Sequence, residues 1–191
     1  MSDSKLFSLF QEHNQAMEQS LALSADMLDP LASALAESFA QGQRLFLLGS
    51  GTLAPVAAAI AQSFSYQLNM ERPSLPAVSL EPSAGVASAL VAAEDYSRVY
   101  SGPLQALAQP GDQLVIFDST ADPAVITAAQ LAQDIGCAVT VFCTIDSAPW
   151  HDVAVSALAP IPETPAGRAA EVLLFLGHAL CQMVESELFG M

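Results

Sequence analysis

The sequence predicts a three-layer α/β fold, in which helices cover both faces of a parallel β-sheet. Segments with strand character alternate with helical segments, an order typical of parallel sheets built from β-α-β units. The segments LVIF (114–117) and AVTVF (138–142) are continuously apolar, as expected of strands buried on both faces. With 191 residues, 52% of them hydrophobic, the chain is predicted to form one domain, 1–191.

Residues 1–41 are predicted to form two helices that precede the α/β core, 42–191. Apolar residues recur at roughly helical spacing across 4–28. Asp29 and Pro30 have the residue types of an N-cap and a first helical position. A second helix is therefore predicted to begin there and to end at Gly42.

Strands and helices follow one another through the core. Strand character is found at 44–48, 77–80, 113–117, 138–143 and 153–158. Helices are predicted from Pro55 to about residue 69, twice within the alanine-rich segment 83–108, and over 166–188. Pro103 is expected near the start of the second helix of 83–108, and Asp122 is expected to cap a helix that begins at Pro123.

The strong acidity of the chain limits its partners. There are 20 acidic and 5 basic residues, which gives a net charge of −15. Such a surface repels phosphate backbones, so direct nucleic-acid binding is not expected. It also disfavours any anionic ligand unless a local site opposes the overall field.

The sequence indicates a cytoplasmic protein. No apolar run reaches the ~18 residues of a membrane span, and the N-terminal segment lacks the pattern of a signal peptide, so no membrane association is predicted. The three cysteines, Cys137, Cys143 and Cys181, are odd in number and lack metal-type spacing. They predict buried thiols in a reducing compartment.

The stretch RLFLLGSGTLAPVAAAIAQSF (44–64) has the order of a strand, a glycine turn and a helix. Backbone amides at a helix N-terminus attract anions without any particular side chain. The turn residues Ser50, Gly51 and Thr52 are therefore candidate ligand-binding residues, although the turn has few hydroxyl groups and the helix has no charged residue.

Four motifs resemble the sugar isomerase (SIS) family: the turn Gly49-Ser50-Gly51, ERPSLPAVSL, LAQPGD and CQMVESELF. The similarity covers nearly the whole chain and is greatest to the phosphoheptose isomerase and DiaA-like subgroup. It implies a five-stranded parallel sheet, a homotetramer or homodimer, and sites near subunit interfaces. A phosphosugar is the ligand class that the resemblance implies.

The resemblance also implies a second phosphate loop, which here reads Asp118-Ser119-Thr120-Ala121-Asp122. Ser119 and Thr120 keep the hydroxyl groups and are predicted to contact a ligand. The two carboxylates oppose a bound phosphate, because unit charges ~4 Å apart repel by about 4 kcal/mol at an effective dielectric near 20.

The positions that the resemblance implies for isomerase chemistry are largely lost. The base position falls on Ser63, and two metal-associated positions fall on Ala59 and Ala170. His178 alone is retained as a catalytic candidate, with local packing on an apolar helix as the alternative. No metal and no cofactor are predicted, because one histidine is too few ligands. The sequence favours a non-catalytic interaction or regulatory module and leaves a phosphosugar isomerase or sensor as the alternative.

Two surface features suggest contacts with other chains. Leu188 and Phe189 follow an acidic stretch near the C-terminal end of the sequence, and they predict either subunit packing or a partner-binding anchor. The resemblance to DiaA implies the replication initiator DnaA as the candidate partner. Arg72, one of the five basic residues, is expected to form an ion pair across a subunit interface or to contact an anion.

Overall fold

A computed structural model describes residues 4–144, 148–162 and 164–190. Five parallel strands form one sheet in the order β2-β1-β3-β4-β5. The strands are β1 (Leu45–Gly49), β2 (Ala77–Ser79), β3 (Gln113–Asp118), β4 (Ala138–Cys143) and β5 (Ala157–Pro160). The chain order reverses between β1 and β3, which are hydrogen-bonded neighbours, with Gly49 opposite Phe117.

Six α-helices accompany the sheet among the described residues. They are α1 (Lys5–Ala40), α2 (Ala54–Ser65), α3 (Ala84–Ala92), α4 (Arg98–Leu107), α5 (Pro123–Ile135) and α6 (Ala166–Phe189). Alternate strand residues face opposite layers, so that Leu45 and Leu47 pack with α1, α2 and α6, whereas Phe46 and Leu48 pack with α4 and α5. The predicted three-layer fold class with a parallel sheet is confirmed.

The N-terminal segment corrects one prediction, because the two expected helices are a single helix. Helix α1 runs through Pro30, so Asp29 does not cap a second helix. Proline removes a backbone donor and leaves the carbonyl of Asp26 without its intrahelical partner. Both Pro30 and Asp26 lie on the exposed side, where water can satisfy that carbonyl. Leu28 and Leu31 are buried on the opposite side and hold both halves against the core.

Two further boundaries differ from the prediction. The last strand occupies Ala157–Pro160 and not 153–158, and Val153 is a buried residue of the preceding loop. Pro103 lies inside α4 and not near its start, since α4 begins at Arg98. The cap of α5 is as predicted: the carboxylate of Asp122 accepts a hydrogen bond from the Ala124 amide at 2.8 Å.

Helix α6 is long and apolar enough by composition to cross a membrane. It packs against α1 and α2, and it contributes Val172, Leu176 and Leu180 to the core. Gly177 allows α2 to approach closely, because a Cβ atom there would lie 2.1 Å from Cδ1 of Ile60. We therefore assign α6 as a core helix of the fold.

All three cysteines are buried and none of them forms a disulfide, as predicted. Burial raises the pKa of Cys137 to about 11, with Asp112 adding to the effect. Burial also raises the pKa of Cys181 to about 11, with Glu185 as the next contribution.

We expect these thiols to stay unreactive in the folded protein at pH 8, and we expect stability to fall as the pH rises from about 9 to 11. The unfolded chain releases thiol protons near the ordinary value of 9.0, whereas folded Cys137 and Cys181 keep theirs to about 11. Labelling with a chromogenic disulfide, with and without urea, and urea unfolding at pH 8 and 10.5 measure the two effects. Rapid labelling of any of the three thiols without urea would contradict the burial argument.

Candidate functional site

A cavity of about 310 Å³ opens at the carboxyl ends of β1, β3 and β4. In open α/β sheets, ligands bind where the strand order reverses, which here is between β1 and β3. The cavity is lined by Thr52, Leu53, Ser119, Thr120, Thr144, Thr164, Ala166 and Ala169. None of these residues carries a charged side chain.

The loop after β1 is joined to the loop after β3 by Ser50. The Ser50 amide donates to the Phe117 carbonyl at 2.9 Å, and the Ser50 hydroxyl accepts from the Ser119 amide at 3.0 Å. Ser50 is buried, so it acts as a support beneath the cavity. Gly51 has φ +50° and begins a short 3-10 helix, Gly51–Leu53, which leads directly into α2.

The loop after β3 folds around the carboxylate of Asp118, the last residue of that strand. Asp118 is fully buried, and its side chain accepts hydrogen bonds from the Thr120 amide at 3.2 Å and the Ala121 amide at 3.1 Å. The indole Nε1 of Trp150 donates to Asp118 Oδ2 at 3.0 Å. Ala121 takes φ +50°, a left-handed conformation that points the loop amides inward at the carboxylate.

The structure brings four of the predicted ligand-binding residues to the cavity or its edge. Thr52, Ser119 and Thr120 line it, and Gly51 precedes Thr52 in the same turn. Ser50 lies beneath it. His178 lies nine residues beyond Ala169 on α6, about 13 Å further along the helix axis, and is not among the lining residues.

A second cavity, of about 550 Å³, lies between the N-terminal parts of α1 and α6. Glu171 on its wall is paired with Arg168, and it also accepts a hydrogen bond from Nδ1 of His13 at 2.7 Å. The hydrogen bond from His13 lowers the pKa of Glu171, with a further contribution from Arg168. Arg168 also donates to the Leu9 carbonyl, so these groups hold α1 against α6.

Arg72 corrects another prediction, because its partner is within the same chain. Its Nε lies 2.7 Å from Oε1 of Glu185 on α6, and both side chains are almost fully buried. The guanidinium also donates to the carbonyls of Ser63 and Phe64 at the end of α2. Arg72 is thus neither a subunit-interface pair nor an anion contact.

The two residues of the predicted partner-binding end have different surroundings. Leu188 packs against the core formed with α1 and α2. Phe189 keeps 37% of its surface exposed at the end of α6. Of the two residues, Phe189 is therefore the one whose side chain is accessible to a partner, and Leu188 is partly buried beside it.

Comparison with known proteins places the chain in a family. The sequence model of the SIS domain family matches residues 9–143 of this chain. This chain belongs to the SIS domain family. The phosphoheptose isomerase of Methylococcus capsulatus is 28% identical over 186 residues, 95% of this chain and 94% of that protein. The phosphoheptose isomerase of Pelobacter propionicus is 32% identical over 166 residues, 86% of this chain and 87% of that protein.

A solved phosphoheptose isomerase from Francisella tularensis shares the fold. It superposes with a TM-score of 0.85 at 21% identity, covering 97% of this chain and 99% of that chain. The family membership and the five-stranded SIS fold predicted from the motifs are therefore confirmed. The chain is a SIS protein of the phosphoheptose isomerase type.

Within this SIS protein, the positions expected to supply a base and metal ligands hold no such groups. The hydroxyl of Ser63 donates to the Ala59 carbonyl one turn earlier in α2, at 3.0 Å. Ala59 and Ala170 offer no ligand atom in their side chains. No group of three or more His, Cys, Asp or Glu side chains among the described residues is arranged to hold a metal ion.

Sequence reasoning missed Thr144, Thr164 and Trp150 as parts of this region. Thr144 follows β4 directly, so its place at the carboxyl edge could have been inferred from the strand order. Thr164 precedes α6, and no motif marks it. Trp150 approaches Asp118 from 32 residues away, a contact that depends on the loop before β5.

Proposed function

We propose that this chain is a non-catalytic, homo-oligomeric SIS-domain protein of the cytoplasm that acts as an interaction or regulatory module. The cavity at the switch point carries the proposal, because none of the described residues that line it has a carboxyl, imidazole, amine or thiol group. Moving a proton between adjacent sugar carbons requires a base and an acid within reach of the substrate. Hydroxyl groups alone do not supply that pair.

A turnover assay with sedoheptulose 7-phosphate, with and without zinc, tests the non-catalytic part. A phosphoheptose isomerase of the same family serves as the positive control. We expect no product above the blank. Turnover above the blank would overturn the proposal, and loss of that turnover in His178→Ala would favour the isomerase alternative, which the names of the relatives support.

Exposed apolar surfaces support self-association. Helix α3 has no charged side chain and only one polar side chain, that of Ser88, yet none of its nine residues is buried. The first turns of α1 expose Leu6, Phe7 and Phe10 at 76%, 47% and 55%. Apolar patches of this kind mark contacts with other chains. Sedimentation at several concentrations measures the size of the assembly, for which a dimer or a tetramer is expected.

DnaA is the protein partner that the resemblance nominates, and Phe189 is the residue that we expect to anchor it. Phe189→Ala is expected to weaken binding to purified DnaA of the same organism about tenfold or more, because exposed aromatic anchors dominate interface energies. Biolayer interferometry with immobilised DnaA measures the change.

Phe175→Ala is the matched control, because Phe175 lies on the same helix and is 44% exposed. It should bind DnaA as the unaltered protein does. Equal losses from both variants would indicate a general effect on α6. Unchanged binding by Phe189→Ala would remove the proposed anchor.

A carbohydrate sensor is the second candidate function, and the hydroxyl-lined cavity favours it. Thr52, Ser119 and Thr120 from two loops converge with Thr144 and Thr164. A cavity of this kind can bind a sugar without transforming it. In that case ligand binding would alter the contacts that the module makes.

A further inference from the structure

We infer that helix α3 is a contact surface between two copies of this chain, with α3 of one copy packed antiparallel against α3 of the other across a two-fold axis at Ser88. The inference rests on the homo-oligomeric part of the proposed function, and it specifies one surface through which the copies meet. No residue of α3 lines the cavity at the strand edge, so this contact is separate from that site.

Helix α3 has little support within its own chain. None of its nine residues is buried, whereas every other α-helix of the described residues has at least four buried residues. Isolated helices shorter than about 12–15 residues are only marginally stable in water. The turn after α3 adds a cost, because Glu94 takes φ +55°, a left-handed conformation that is unfavourable for a residue with a Cβ atom. Contact with another chain would supply the missing support.

One side of α3 faces α4 and the opposite side faces solvent. Val86 and Leu90 line a cavity of about 340 Å³ together with residues of α4, and Leu90 packs partly against the core. Successive helical residues are about 100° apart, so Ser88, which is two positions from each of them, points away from α4. The other exposed residues on this outward side are Ala84, Gly85, Val91 and Ala92.

The outward side of α3 carries no charge, which favours a second copy as its partner. The nearest charged residues along the chain are Glu81 and Glu94. The whole chain has 20 acidic and 5 basic residues, so two copies repel each other wherever their carboxylates approach. A basic partner would be drawn to the carboxylates, because complementary charge steers association. An uncharged apolar side is therefore where this chain can contact itself.

The sequence of α3 is self-complementary about its central residue. In an antiparallel pair centred on Ser88, Gly85 of one copy lies opposite Val91 of the other, and the two serine hydroxyls meet. Val91 is the bulkiest residue of the outward side and is 62% exposed. A Cβ atom at Gly85 would meet nothing within 4 Å, so the opposing Val91 has space there.

Charges placed at Ser88 test the contact. Ser88→Glu and Ser88→Lys are each expected to raise the dissociation constant of the assembly at least tenfold, because like charges would meet across the axis. An equimolar mixture of the two variants should assemble again, because glutamate then opposes lysine. Sedimentation velocity at several concentrations measures both effects. Each variant alone should lower the mass of the assembly by half, from tetramer to dimer or from dimer to monomer.

Leu107→Glu is the matched control, because it adds the same charge at a position of α4 that is 43% exposed. It should assemble as the unaltered protein does. Circular dichroism and urea unfolding verify that each variant is folded, which we expect because Ser88 is exposed. Equal losses from Ser88→Glu and Leu107→Glu would overturn the inference, and so would a mixture of the glutamate and lysine variants that fails to reassemble.

Hydrogen exchange of the α3 amides provides a second readout. We expect these amides to exchange at least tenfold more slowly at a concentration where the unaltered protein is assembled than after dilution to the dissociated state, because local opening of α3 is suppressed when the helix is covered. Exchange that is equally fast in the two states would overturn the inference.

The outcomes separate this inference from the proposed function. An assembly that survives both Ser88 variants would overturn the α3 contact and leave the homo-oligomeric function intact. If Phe10→Glu abolished that assembly, the contact would belong to the first turns of α1, where Phe10 is 55% exposed. A chain that sediments as a monomer at every concentration would overturn the proposed homo-oligomer itself.

Discussion

Replacement of Arg72 with leucine is expected to lower the free energy of unfolding by about 3–5 kcal/mol, the cost of breaking a buried ion pair from one side. The side chains of Arg72 and Glu185 are 1% and 0% exposed, so the carboxylate would remain buried without its cation. The other carboxylate oxygen, Oε2, has no hydrogen-bond partner among the described residues. Urea unfolding followed by circular dichroism measures the change.

The loss should exceed that of an ordinary ion pair, because the guanidinium also organises the backbone. It donates to the carbonyls of Phe64 and Pro73 at 2.8 and 3.0 Å, and so connects the end of α2 with the segment before β2. Arg98→Leu is the matched control, because Arg98 pairs with Asp95 at 3.7 Å and its side chain is 61% exposed. Exposed pairs contribute roughly 0–1 kcal/mol.

The double variant Arg72→Leu/Glu185→Leu, compared with the single variants Arg72→Leu and Glu185→Leu, distinguishes an unpaired charge from lost packing. Removing both charges relieves the desolvation of the carboxylate, so the double variant should be more stable than Arg72→Leu alone. A double variant that shows the sum of the two single losses would contradict the ion-pair account. Equal losses in Arg72→Leu and Arg98→Leu would do the same.

The layered fold could be predicted because its signals are local. The apolar run of β4 gave the strand boundaries, and Asp122-Pro123 gave the start of α5. The continuous helix α1 could not be predicted, because Asp29 and Pro30 together are typical of the start of a helix. Only the packing of Leu28 and Leu31 against the core shows that the helix continues through them. The partner of Arg72 lies 113 residues away, and no local pattern reports a contact of that separation.

The sequence predicted three of the hydroxyl-bearing residues that line the candidate cavity, but it did not predict the contacts of Asp118 beneath them. Thr52, Ser119 and Thr120 follow strand ends, and parallel strands bring such residues to one edge. The carboxylate of Asp118 was expected to oppose a ligand directly. Its actual position beneath the loop follows from the left-handed Ala121 and from Trp150, neither of which the sequence pattern indicates.

Replacement of Gly49 with alanine is expected to cost about 2–4 kcal/mol of unfolding free energy, because the added methyl group collides with backbone. A Cβ atom at Gly49 would lie 2.2 Å from the Leu53 carbonyl oxygen and 2.7 Å from the Ala54 nitrogen. Neither atom can move without displacing the 3-10 turn that leads into α2. Urea unfolding measures the loss, and Trp150 emission reports on the adjoining loop.

Gly85→Ala is the matched control, because a Cβ atom there meets nothing within 4 Å and Gly85 lies in α3 with an ordinary backbone conformation. Alanine favours helix over glycine by up to about 1 kcal/mol, so this variant should be unchanged or slightly more stable. The contrast separates a steric requirement from a general effect of glycine replacement. If Gly49→Ala were as stable as Gly85→Ala, the turn would have to relax without cost, and the close approach of β1 to α2 would not be what positions Thr52 at the cavity.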